Sequence, residues 1–235
     1  MNKKLMLLAT GVLTALAFAA LPAVASAGEP VAHCQNGAAS CIGAVTGGAT
    51  QLRDDGGQGI TCSSVHGKAT VTNGSATGFL ELTFTECKET ITGFKFSCTN
   101  TGVAGKITTG SMVTHLIYLH HLPNTTTGLK VTLPGHGTGT GGVTFTCAGF
   151  SRKTVTGSVI GHISNPECNT YQTSHTADFT ETSLGSGIQK YMQTTTTGEK
   201  TDLISNNDAG GTYTTAAQIG SGVIHWEGTK VNITC

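Results

Sequence analysis

Histidine and cysteine are the residue types in this chain best suited to chemistry, and both recur at matched places. His115 follows Gly110-Ser-Met-Val-Thr, His162 follows Gly157-Ser-Val-Ile-Gly, and His225 follows Gly220-Ser-Gly-Val-Ile. His120 and His121 lie close to the first. Imidazoles brought together from neighbouring strands bind zinc or copper, so His115, His162 and His225 are the candidate metal ligands. Against that, no carboxylate flanks them in sequence to orient the ring nitrogens. In the third copy the histidine follows its hydrophobic pair directly, which changes its strand parity relative to that pair. A duplicated strand carrying its histidine along explains the pattern without a metal, and no cofactor is expected.

Other reaction types find less. There is no Gly-x-Ser-x-Gly elbow, and Gly185-Ser-Gly187 lies in a glycine-rich turn. Glu81, Glu86, Glu89, Glu181 and Glu227 are available for paired-carboxylate chemistry, but no spacing selects two of them. Glu86 and Glu89 read as flanking a turn. The glycine run 135–142 lacks the Gly-Lys-Ser/Thr ending of a phosphate loop. Asp54-Asp55-Gly-Gly has no downstream ligand series for calcium. Trp226 sits beside an alternating apolar strand and reads as core rather than as a sugar-binding platform.

The cysteines number eight, all beyond residue 27, with no Cys-x-x-Cys pair. That is a disulfide framework rather than a thiolate metal site. Cys34 and Cys41 close a small ring. A hairpin turning between Gly74 and Ser75 brings Cys62 opposite Cys87. Cys98, Cys147 and Cys235 each end a run that alternates with two apolar residues, so their sulfurs should point inward. For the remaining four the first pairing is Cys147–Cys168 with Cys98–Cys235.

Strands must position these residues. Residues 93–116 and 142–163 are two copies of one pattern, read as a strand ending in Cys, a turn, and a strand ending in His. Leu80, Leu82 and Phe84 alternate with Glu81, Thr83 and Thr85, giving one buried and one wet face. Further strands are expected at 176–182, 190–195, 200–204 and 212–218.

Composition bounds the rest. Lys3 and Lys4, an apolar run to Ala20 and Ala25-Ser-Ala27 form a signal peptide over residues 1–27. Removing those two lysines from the 13 basic residues leaves 11 against 13 acidic ones. Charged residues are 11% of the chain, against a usual ~25%. No electrostatic footprint for nucleic acid follows, and no membrane insertion after signal cleavage. The expectation is a loop-rich segment at 28–59 and a single β domain at 60–235. That domain is an all-β antiparallel sandwich or partly closed barrel, internally duplicated and disulfide-stapled. Its function is expected to be non-enzymatic: a secreted, extracellular binding, adhesive or envelope-associated module, whose partner is an extracellular ligand or envelope polymer. The alternative is a secreted metal-dependent or hydrolytic enzyme using the histidines.

Overall fold

The computed structural model describes residues 29–54, 59–120, 126–135, 141–149, 151–164, 169–184, 186, 190, 203–207 and 213–234. The signal-peptide residues, His121, Cys168, Cys235 and most of the 190–195 and 200–204 strands lie outside them. All regular pairing among the described residues is antiparallel β, built as eight staves, seven of them broken once near the middle.

A short strand, β1 (Ala32–Cys34), precedes the first stave, β2 (Ser40–Gly47) and β3 (Thr50–Asp54). The second stave is β4 (Gly59–Cys62) and β5 (Ser64–Thr72); the third is β6 (Thr77–Thr85) and β7 (Lys88–Ile91). Then come β8 (Phe94–Thr99) with β9 (Ile107–His120), and β10 (Thr126–Thr132) with β11 (Val143–Cys147). The sixth stave is β12 (Ser151–Thr156) and β13 (Ser158–Ile163), and the seventh is β14 (Ser174–Phe179) and β15 (Ile204–Asn207). The eighth is one long strand, β16 (Thr214–Trp226), and β17 (Val231–Ile233) follows it.

Each stave pairs with the next, and the eighth pairs back onto the first. Val223 and Ile224 of β16 face Thr46 and Val45 of β2, while Gln218 faces Leu52 of β3. The same strand pairs on its other side with β14 and β15. The result is a closed up-and-down barrel of eight staves, which resolves the choice between sandwich and barrel. The breaks need unusual backbone. Gly220 lies inside β16 with φ 139°, and a Cβ there would stand 2.8 Å from Thr50 Cγ2.

Alternation sorts the side chains. Val65, Ala69, Leu80, Met112, Leu116 and Phe145 point inward and are buried. Glu81, Thr61 and Ser111 on the same staves are exposed. Hydroxyls pair across the outer face, Ser64 with Thr85 at 2.7 Å and Thr144 with Thr154 at 3.0 Å. Among the described residues no helix is long and apolar enough to cross a membrane.

β1 and β17 form a separate two-stranded lid. Ala32 N–H donates to the Ser75 carbonyl and Val231 N–H to the Gln172 carbonyl, so the lid is tied to turns at one end of the barrel. The turns at 92–93 and 148–149 mark the opposite, far end.

Several expectations change. The segment 28–59 is not mainly loop: it holds the whole first stave, whose glycines at 43 and 47 hid the alternation of Cys41 and Val45. The two sequence copies do not make equal units. In the first, β8 runs on into β9 within one stave; in the second, β11 turns back and pairs with β12.

That difference decides the disulfides. Cys34–Cys41 and Cys62–Cys87 form as expected, the latter on the register that sets Lys68 opposite Glu81. Cys98, however, bonds to Cys147, not to Cys235, and Cys147 does not bond to Cys168. The two copies supply neighbouring strands, so each Cys faces its counterpart directly. All six sulfurs sit on buried residues, and the three bridges belong to an oxidising compartment. Mapping peptides of the unreduced protein should recover these three links. The two remaining cysteines should be recovered as one Cys168–Cys235 link, since the adjacent Asn169 N–H donates to the Ile233 carbonyl at 3.0 Å.

Candidate functional site

Eight staves leave a barrel interior just wide enough to be filled by side chains or to hold one small ligand. Here it is incompletely filled. A cavity of about 150 Å³ runs inside the barrel, with linings from Val45 on β2 to Ile224 on β16 and from every stave between. Leu80, Met112, Leu129, Val131 and Phe145 give it an apolar wall. It spans the breaks in the staves: Val65 and Val159 lie on the lid side, Ile60 and Val155 on the far side.

The lid end carries one polar pair. His175 on β14 is 3% exposed, among Leu116, Ile163, Val231 and Ile233. Its Nδ1 accepts the Trp226 indole N–H at 2.8 Å, and the rings meet edge to face with centroids 6.0 Å apart. Burial pulls the His175 pKa down from 6.5 to about 4. Trp226 is core, as expected, and the indole N–H finds the acceptor a buried indole needs.

The far end carries the second. Lys153 Nζ on β12 lies 2.6 Å from Glu89 Oε1 on β7, and both side chains are buried. β8 and β11 stand between those two strands, so the pair reaches across the inside of the barrel. Ile60 is the cross-strand partner of Glu89 and Phe145 that of Lys153, and both line the cavity. The ion pair therefore lies next to the far end of an apolar lumen, just behind its lining.

The histidines are not brought together. His115, His162 and His225 stand on β9, β13 and β16, with a full stave between each and the next. Neighbouring strands are ~4.8 Å apart, so alternate staves lie roughly 10 Å apart, too far for nitrogens that must each sit ~2 Å from a shared metal. Among the described residues no three His, Cys, Asp or Glu side chains form such a group. A carboxylate does reach His115, but from the N-terminal segment: Glu29 Oε2 is 3.0 Å from its Nε2. The carboxylates do not pair either. Glu181 binds Arg53 at 2.9 Å, Glu81 and Glu227 face solvent, and Glu89 is the buried one.

Sequence reading missed Lys153 and His175, and it placed Glu89 beside a turn rather than inside the barrel. Each has a period-two signature, in Cys87-x-Glu89-x-Ile91, Lys153-x-Val155 and His175-x-Ala177-x-Phe179, which puts the polar residue on the apolar face. A comparison of the chain with protein-family models, curated proteins and solved structures gave no match.

The buried imidazole makes stability depend on pH. The unfolded chain takes up this proton near pH 6.5, the folded chain only near about 4. Between those values the unfolded state binds more protons, so acidification costs the fold up to about 3 kcal/mol. The melting temperature should fall over this window. His175→Phe combined with Trp226→Phe, which removes both polar atoms, should flatten that dependence.

Proposed function

We propose that this is a secreted, non-enzymatic binding protein that encloses a small apolar molecule inside its barrel. The observation that carries the reading is the apolar cavity of about 150 Å³ at the centre of a closed, disulfide-stapled fold. An engineered apolar cavity of ~150 Å³ in another protein stays dry and binds benzene or xenon. A compact ring or branched chain of similar size is the matching ligand class. Paired serine and threonine hydroxyls on the outer face support release into water, and Ile42, Phe79 and Val113 stand exposed among them. The enzyme alternative has lost the histidine cluster on which it relied.

The test is a titration with toluene, followed by thermal unfolding. At a tenfold excess over Kd, binding contributes about 1.4 kcal/mol and should raise Tm by roughly 3–6 °C. Val131→Phe, which fills the lumen, should abolish the rise while leaving a folded protein. No rise in the native protein, or an equal rise in the filled variant, would overturn the reading.

A further inference from the structure

Beside the far end of the lumen lies an atom whose needs the described residues do not meet. Glu89 is 2% exposed. Its Oε1 accepts from Lys153, but its Oε2 is buried with no hydrogen-bond partner among the described residues. A buried carboxylate oxygen is an acceptor only, and leaving it without a donor is costly. Native structures keep such atoms rarely, and each calls for a donor from elsewhere.

The position says where that donor comes from. Glu89 faces inward between Ile60 and Phe96, its partners on the adjoining strands. Ile60 and Leu52, next in the same row, line the cavity, as does Phe145 beside Lys153. The wall of the lumen is thus apolar, and the carboxylate lies just behind it, beside Ile60.

We propose that the lumen takes a compact amphipathic molecule with one neutral hydrogen-bond donor, an alcohol or phenol, whose hydroxyl binds Glu89 Oε2 while its apolar body fills the cavity. This rests on the reading of the lumen as a binding cavity. The head is neutral because Lys153 already balances Glu89, and an added cation would leave an uncompensated charge in an apolar interior. An anionic head would meet the carboxylate oxygen itself. The hydroxyl donates and the carboxylate accepts, a charge-assisted bond stronger than a neutral one.

The experiment compares toluene, benzyl alcohol and benzoate on the native protein and on Glu89→Leu/Lys153→Met, which replaces the pair by apolar side chains of similar reach. Calorimetric titration reads the ratio of benzyl alcohol to toluene affinity. That ratio should be about tenfold higher in the native protein than in the double variant. Toluene should bind both, which also shows that the variant has folded with its lumen intact. Glu89→Gln is a second variant that keeps the shape of the side chain and should lower the same ratio. If toluene binds but the ratio is equal in native and variant proteins, the carboxylate is not the head-group site and this inference falls while the apolar lumen stands. Tighter binding of benzoate than of benzyl alcohol would also overturn it. If none of the three binds the native protein, the reading of the lumen has itself failed.

Discussion

Closure through β16 is the constraint on which the molecule depends. That strand is paired on one side to β2 and β3 and on the other to β14 and β15, so the sheet keeps no open edge along its length. An interior exists only because of it. Were β16 paired on one side alone, Leu80, Val131 and Phe145 would face water and the core would have to be made by stacking sheets. The glycine at 220 belongs to this constraint, since the strand bends there to follow both halves of its neighbours.

Charge is used sparingly and in two distinct ways. Outside, the barrel is dressed in threonine and serine, which satisfy one another across strands and require no counter-ions. Inside, Lys153 and Glu89 meet behind the lining of the lumen, and Asp54 on β3 is buried as well. Such a pair adds little net stability, because desolvating two charges offsets their attraction, and its loss on one side alone is severe. Its value is in placement: it sets the distance between staves on opposite sides of the wall and gives the apolar interior one polar end. The disulfides do related work. Cys62–Cys87 and Cys98–Cys147 fasten neighbouring staves near the same end, away from the lid.

Much of this was legible in local pattern. The β5–β6 register, the Cys62–Cys87 link and the inward cysteines follow from alternation and one turn, which are properties of adjacent residues. What was hidden is non-local. A strand paired on both sides reads the same as one paired on a single side, so closure had no signature in β16 itself. Cys98–Cys147 depended on whether each copy of the repeat continued or turned back, and copies of similar sequence did different things. Glu89 illustrates the other limit. Hydropathy assigns a carboxylate to the surface, whereas strand parity from Cys87 assigns it to the interior, and in the folded chain parity prevails.

The lid joins the two ends of the described chain, with Val31 bonded to Thr234 across 203 positions of sequence. Its strands pair with each other, and outward their hydrogen bonds go to turns rather than to the rims of the staves. A two-stranded sheet is marginal alone, so β17 can peel from β1, which the Cys34–Cys41 bridge holds to β2, while the barrel wall keeps all its pairing. On the proposed reading of the lumen, the residence time of a guest is then set by how fast that strand opens rather than by the wall around it.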